Sequence, residues 1–240
     1  MESYQGTRTY SVVIPNRFED IIKPLLESIK RYEQHPTVII VADRHDRSYG
    51  YKKVKLSGQF SFAKAANTGI RAARQDDIIL MNDDSRLVMP TFNILNNIAY
   101  SDPKIGILTP MIDGGCGNLF MRADRTDLWS NRPDLHFCNG RGGDRVTFAC
   151  VYLKHDFLNS IGLFDEGFIH YGYDDADMCI RAVKGGWKVA ITNKLVVRHG
   201  EGGSKFVRGK NWNTSFKRTH GEDYRASLPY IRAKHPDYVV

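Results

Sequence analysis

Three aspartates, Asp174, Asp175 and Asp177, fall in four consecutive residues, and His199 ends the same glycine-bounded stretch, Gly162 to Gly203. A second acidic pair, Asp83-Asp84, follows Asn82 at the end of an apolar run, and Asp43 ends another. Carboxylate oxygens with one imidazole suit Mn²⁺ or Mg²⁺. A cation so held neutralises charge gathering on a departing phosphate oxygen. A carboxylate kept off the metal can serve as general base to an incoming hydroxyl. The two acidic sites are far apart in the chain, so each can be given its own surroundings and its own task.

The elements around these residues read as an α/β chain. TYSVVIP, 9–15, is a short apolar, β-branched run ended by proline, as a buried strand would be. Ile21, Ile22, Leu25, Leu26 and Ile29 follow at helical spacing, with Pro24 suited to a first turn near Lys23. TVIIVAD then gives a second buried strand ending at Asp43. Strand, helix and strand in this order form a βαβ unit with parallel strands. Ligands of open α/β sheets sit beyond the carboxyl ends of such strands, here at Pro15-Asn16-Arg17 and Asp43-Arg44. Val54-Lys55-Leu56 allows a short strand. SFAKAANTGIRAARQ reads as a helix, and Asp77 to Met81 as a third buried strand delivering Asn82-Asp83-Asp84-Ser85 to the same edge. The same four residues also favour a plain surface turn.

Further along, a helix after Pro90, a strand from Ile105 to Pro110, a strand RVTFACVYL and a helix 154–161 are expected. Residues 113–145 lose periodicity and are rich in Gly, Asn, Asp and Arg, the mark of a functional or disordered loop. The helix beginning at the Asp174 cluster should stop at Gly185-Gly186, and KVAITNKLVV should run as a strand to Arg198-His199. In the C-terminal residues Trp212, Phe216, Tyr224 and Tyr230 alternate with basic side chains. That composition suits a lid, a basic-aromatic binding surface or a helix packed on the core.

Composition narrows the class. A net charge of +7 is compatible with a nucleotide, a nucleic acid or an anionic membrane surface as partner. No apolar run approaches the ~20 residues of a membrane span, and MESYQGTRTY has no signal-peptide core. A soluble, cytoplasmic protein is expected. Its four cysteines form no CxxC pair, so zinc-finger spacing is absent.

The stretch ACVYLKHDFLNSIGLFDEGFIHYGYDDADMCIRAVKGGWKVAITNKLVVRHGEGGS resembles the family 2, inverting glycosyltransferases of GT-A fold. The matching features are a glycine, an apolar-Phe-Asp-Glu run (Phe164-Asp165-Glu166), an acidic pair and Asp-apolar-Cys-apolar-Arg (Asp177 to Arg181). The pair is usually Glu-Asp in the family and is Asp174-Asp175 here. SVVIP, TVIIVAD and FAKAANTGI resemble further family segments, and the resemblance covers most of residues 10–203. Asn82-Asp83-Asp84 resembles the metal-binding DxD motif, with Asn at the first position as a departure.

The resemblance implies a GT-A, Rossmann-like, mixed but mainly parallel sheet flanked by helices. It implies a single domain over 1–203, with a nucleotide-binding half near 8–110 and an acceptor half near 111–203. Residues 204–240 would form a basic-aromatic lid or tail. It implies Asp175 as catalytic base, Asp84 and His199 as ligands of Mn²⁺ or Mg²⁺, and Pro15, Arg17, Asp43, Lys64, Asn67, Asp83 and Asp84 on the donor side. Asp165, Glu166 and Asp174 would meet the acceptor. The reaction would move a sugar from a nucleotide diphosphate sugar, with uridine as default, to a hydroxyl. A saccharide or lipid-linked saccharide acceptor is favoured; hydroxymethylated bases in DNA are the alternative. Plainer roles are open as well: Asp175 as a helix cap, Asp177 as intrahelical partner of Arg181, and His199 as a turn residue. A non-catalytic binding module of the same fold, or a nucleotidyltransferase with a related sheet, would keep the fold without the transfer.

Overall fold

The computed structural model describes residues 8–43, 45–113, 134–140, 144–169, 172–200 and 221–237. Among them, nine strands form one sheet. The strands are β1 (Tyr10–Asn16), β2 (Thr37–Ala42), β3 (Lys52–Lys55), β4 (Asp77–Met81), β5 (Ser85–Leu87), β6 (Ile105–Asp113), β7 (Leu135–Cys138), β8 (Cys150–Leu153) and β9 (Lys188–His199). The helices are α1 (Lys23–Tyr32), α2 (Phe62–Ala73), α3 (Phe92–Ala99), α4 (His155–Ile161), α5 (Asp174–Lys184) and α6 (Gly221–Lys234).

The strand order is β3-β2-β1-β4-β8-β6-β9-β5, with β7 paired to β9. The first four strands run parallel, as the βαβ reading requires. β8 is antiparallel to both β4 and β6. β6 and β9 are parallel, while β5 and β7 flank β9 antiparallel. The sheet is therefore mixed, with its all-parallel half at the N-terminal side. Strands covered on both faces read as near-continuous apolar runs. β4 shows this in IILM, buried throughout, while its first residue, Asp77, is buried as acceptor of the Tyr100 and Tyr152 hydroxyls.

Helix α2 shows how closely the layers approach. Its Gly69 lies against β1 and β2, where an added Cβ would fall 2.2 Å from Val13 Cγ1 and 3.0 Å from Val41 Cγ2. A helical glycine costs about 1 kcal/mol relative to alanine; here it admits a contact that no larger residue allows. Ser61 caps the same helix by accepting from the Lys64 N–H. Helix α5 ends as its Gly-Gly pair dictates. Gly186 takes a positive φ of 77°, its N–H reaches the Val183 carbonyl, and the Trp187 N–H reaches Ala182, a Schellman closure.

Three elements differ from the sequence reading. β7 lies inside the stretch 113–145 that shows no periodicity; it is four residues long, too short to display any. β5 is three residues long and merges in sequence with the turn after β4. The strand expected over RVTFACVYL is confined to Cys150–Leu153. Arg44 and the regions 114–133 and 141–143, including Trp129, lie outside the described residues.

The described part of the C-terminal segment is α6, which packs on α5. Ile231 is buried with Phe168, Tyr173, Ala176 and Ile180 in a small second core. Tyr230 meets Phe168 edge-on at 4.8 Å. Residues 201–220, including the glycines after Gly200 and Trp212, Phe216, Lys217 and Arg218, lie outside the described residues. Among the described residues no helix is long and apolar enough to cross a membrane.

Candidate active site

The carboxyl ends of β1, β2 and β4 deliver Asn16, Asp43 and Asn82-Asp83-Asp84 to one edge, because parallel neighbours in register end together. β9 brings His199 to the same place. Its pairing with β5 sets Ser85 opposite His199, and the Gly200 N–H donates to the Asp84 carbonyl at 2.9 Å. The register thus brings together the two residues that the resemblance names as metal ligands: His199 Nε2 is 3.2 Å from Asp84 Oδ1. Asn82 Nδ2 lies 3.0 Å from the same imidazole nitrogen. Burial pushes the Asp84 carboxyl up, but the hydrogen bond and charge of His199 outweigh this and hold it below its usual range.

Asp83 turns the other way. It accepts from Asn16 Nδ2 at 2.8 Å, and Asn16 Oδ1 in turn meets His45 Nε2. Burial pushes Asp83 up to about 6, against the pull of the Asn16 hydrogen bond. Arg17 points at Asp43, Nε to Oδ2 3.7 Å, and its guanidinium lies 5.6 Å from the Phe18 ring and 5.4 Å from the Phe60 ring. A cation between two aromatic rings beside a carboxylate is a platform for a flat, hydrogen-bonding group. Pro15 precedes this set within β1. Lys64, in the first turn of α2, brings its ammonium beside Gly58.

At α5 the chain enters through a strained turn. Gly172 and Tyr173 both have positive φ, 94° and 70°, and the Tyr173 ring is buried. A non-glycine residue held there costs about 1–3 kcal/mol and needs surrounding structure to fix it. Tyr173 is the N-cap residue, so Asp175 is inside the first turn and is not the cap. Its Oδ1 accepts from the Ala176 N–H at 2.7 Å and from Arg145 Nη1 at 3.4 Å. Burial raises the Asp175 pKa, with Arg145 opposing. Asp174 is raised by burial and by the charge of Asp175.

Asp177 is different in kind. It is fully buried and meets Arg181 Nε at 2.8 Å, Lys234 Nζ at 2.9 Å and His235 Nε2 at 2.8 Å. The Asp177–Arg181 pair expected from the i,i+4 spacing is present, and the C-terminal segment adds two further partners. The turn 164–167 is tied down as well. Asn67, 1% exposed, donates to the Phe164 carbonyl and Glu166 Oε1 and accepts from the Phe164 N–H. Asp165 holds Tyr230, Lys234 and the Gly167 N–H. Asn67, Asp165 and Glu166 thus brace α2, this turn and α6 against one another.

Residues 145–149 join the two acidic turns. Arg145 reaches Asp175 and the Val146 carbonyl accepts from Cys179 Sγ on α5. At the other end the Ala149 carbonyl accepts from the Asn82 N–H at 3.0 Å and Ser85 Oγ at 2.9 Å. Sequence reasoning puts Asn16 at the ligand-binding edge without giving it a role, and does not single out His45 or Arg145 as site residues. Asn16 leaves a signal, as a polar residue at a buried strand end; Arg145 leaves none, since its partner lies thirty residues on.

The donor set fits a divalent cation. Asp84 and His199 offer a carboxylate oxygen and an imidazole nitrogen in one place, a pair that suits such an ion, while the Asn82 atom that meets the imidazole is its amide nitrogen, which does not ligate.

Comparison with solved structures gives the same fold. A structure of GalNAc-T7 with UDP, GalNAc and Mn²⁺ superposes with a TM-score of 0.65 at 14% identity, over 81% of this chain and 44% of that one. The mannosyltransferase PcManGT from Pyrobaculum calidifontis, in complex with GDP-Man and Mn²⁺, gives 0.62 at 15% identity, over 95% and 66%. S. aureus TarS gives 0.58 at 14% identity, over 80% of this chain and 36% of that one. These are GT-A glycosyltransferases, and the mixed sheet of this chain is the GT-A sheet. In sequence, the chain is 23% identical to the O-antigen biosynthesis protein RfbC of Myxococcus xanthus, matching 84% of this chain and 18% of that protein. It therefore spans under a fifth of the length of RfbC. The profile of glycosyltransferase-like family 2 matches residues 8–219, nearly the whole described fold with both acidic turns, and the chain belongs to that family.

Proposed function

We propose that this chain transfers a sugar from a nucleotide diphosphate sugar to an acceptor hydroxyl with inversion, using Asp175 as base. One observation carries the reading: residues 145–149 tie the turn after β4, Asn82 to Ser85, to the first turn of α5. Two carboxylate sites with opposite electrostatics are thereby linked. Asp84 is held ionised by His199, which suits a metal ligand. Asp175 has its pKa raised by burial, which suits a proton acceptor.

Asp84 and His199, with Asn82 beside them, would hold the divalent cation, Mn²⁺ or Mg²⁺. When bound it would offset charge on the departing diphosphate. Arg17, Asp43 and Phe60 would receive the base of the nucleotide, with uridine as the default nucleoside, and Pro15 and Asp83 stand on the same donor side. Lys64 lies on the phosphate side. Asp175 takes the proton of the acceptor hydroxyl as that oxygen attacks the anomeric carbon opposite the leaving group. Direct displacement inverts that centre. Asp174, whose carboxyl is raised by burial and by the charge of Asp175, would meet the acceptor beside it. Asp165 and Glu166 would stand on the acceptor side, with Asn67 of the donor side bonded to Glu166 and Phe164.

A saccharide or lipid-linked saccharide is the preferred acceptor, in line with the role of RfbC in O-antigen biosynthesis. Thermal shift against a panel of nucleotide sugars with Mn²⁺ identifies the donor, since a ligand of the folded state raises Tm by mass action. Release of nucleoside diphosphate from that donor, abolished in Asp84→Ala, then tests the reaction; no release from any donor in the panel overturns it. A salt-sensitive gel shift on hydroxymethylated but not plain DNA would move the acceptor to nucleic acid.

A further inference from the structure

A second cluster of metal-ligating side chains lies on β7 and the chain that follows it. His136 and Cys138 are two apart on β7 and so share a face, while Phe137 between them is exposed on the other. Asp144 reaches across to them. One ligand atom from each of His136, Cys138 and Asp144 lies within 4.8 Å of the other two, and His136 Nε2 is 3.5 Å from Asp144 Oδ1. Ligands on a zinc tetrahedron, at about 2.0–2.3 Å from the ion, stand roughly 3.4 Å from one another. The His–Asp pair already has that separation, and a Cys138 sulfur within 4.8 Å of both is near enough to join them.

The surroundings hold the three in place. The second oxygen of Asp144 accepts from the Asn139 N–H at 2.9 Å, and the Asp144 carbonyl accepts from the Gly140 N–H at 3.0 Å. This closes the chain between Cys138 and Asp144, and outer hydrogen bonds of this kind orient a ligating carboxylate. The Cys138 thiol is buried and in no disulfide. A set of one sulfur, one imidazole and one carboxylate departs from the oxygen-rich surroundings that Mg²⁺ and Mn²⁺ favour and suits Zn²⁺.

We propose that His136, Cys138 and Asp144 bind one Zn²⁺ ion, with a fourth position open to water. The ion clips β7 to the segment that follows Asp144. The next residue, Arg145, is the one that reaches Asp175, and Gly140 lies against the Cys179 carbonyl of α5. The zinc clip therefore positions Arg145 against α5.

Cobalt reports on this site without reference to transfer, because Co²⁺ bound to a thiolate gives an intense near-ultraviolet charge-transfer band. Purified full chain, stripped with chelator and titrated with Co²⁺, should show that band at one equivalent, and Zn²⁺ should bleach it. Cys138→Ser should lose it, and Asp144→Asn, at a half-buried position, should weaken Co²⁺ binding at least tenfold. Asp84→Ala and His199→Ala should keep the band, which separates this ion from the one proposed at the donor. Absence of a band in the folded wild-type chain, judged by its circular dichroism, overturns the proposal. A band that survives Cys138→Ser in a folded variant overturns it too.

Discussion

Two acidic turns, linked through residues 145–149, are held in opposite ways. The turn after β4 is fixed by strand register: Ser85 pairs with His199, and Asp83 meets Asn16 from the adjacent strand. Its carboxylate Asp84 has the His199 imidazole at 3.2 Å. The first turn of α5 is fixed from outside the sheet, by Arg145 on one side and by Lys234 and His235 on the other. Within that turn the partners are shared unequally. Asp177 has three of them at hydrogen-bond distance, whereas Asp175 has one long contact with Arg145 and its neighbour's N–H. A buried carboxylate with full pairing is a structural joint; one left under-paired keeps affinity for a proton. The difference separates a carboxylate fixed by its partners from one whose proton is held more tightly by burial.

The largest effect expected from this contrast is at Asp175. Asp175→Asn should lower kcat by about 10²–10⁴, the usual worth of a general base, with donor affinity by calorimetry unchanged. Its stability should not fall. The folded pKa of Asp175 is raised by burial, so the folded state binds its proton more tightly than the unfolded chain does. Stability from this group is then present at acid pH and is lost as pH rises through the folded value. Asparagine removes that loss, and Tm at neutral pH should hold or increase. Undiminished turnover in Asp175→Asn would remove the base from the mechanism.

Two residues along the helix the same substitution should do the reverse. Asp177→Asn leaves Lys234 and Arg181 facing an uncharged amide in a buried joint, a change of about 3–5 kcal/mol when one partner of a buried pair is removed. Chemical denaturation should read that loss, and amide exchange should show α6 released while the sheet stays protected. Denaturation equal to wild type would mean that α6 is held by Ile231 and Tyr230 alone.

These two residues also show where the sequence is legible and where it is not. The sheet can be read because its strands are continuous apolar runs, and strand ends carry their last residues to one edge by geometry alone. That is why Asp43, Asp84 and His199 can be grouped from their positions. The Asp177–Arg181 pair is readable because helical neighbours four apart touch. Lys234 and His235 are not, since nothing local links them to Asp177 across the fold. The motif around Asn67 suggests a donor contact, while its buried amide is engaged by Phe164 and Glu166. β7 escapes because four residues cannot establish a period. Long-range pairing is the common element in what the sequence hides.

The turn after β4 can be disturbed from its β1 side. Gly69→Ala places a Cβ 2.2 Å from Val13 Cγ1, so β1 or α2 must shift. Overpacking of this kind costs about 1–3 kcal/mol. The displaced strand ends in Asn16, the partner of Asp83. KM for the donor should therefore rise along with the loss in Tm, while the acid limb of the kcat profile, set at α5, stays in place. A displaced limb with unchanged KM would show that the two turns are not held independently.

The smallest expected effect probes the under-pairing itself. Arg145 lowers the pKa that burial raises at Asp175. Arg145→Gln withdraws the positive charge and leaves burial unopposed, so the proton of Asp175 should be held still more tightly. The acid limb of kcat against pH should then move to higher pH, with the plateau at alkaline pH little changed and donor binding unaltered. The size of the move is limited by the 3.4 Å separation and the part-exposed position of the pair, where solvent screens the interaction. A general loss of activity at every pH would instead mean that Arg145 orients the carboxylate. An acid limb that moves to lower pH would contradict the charge argument altogether, because removing a cation cannot make a carboxylate a stronger acid.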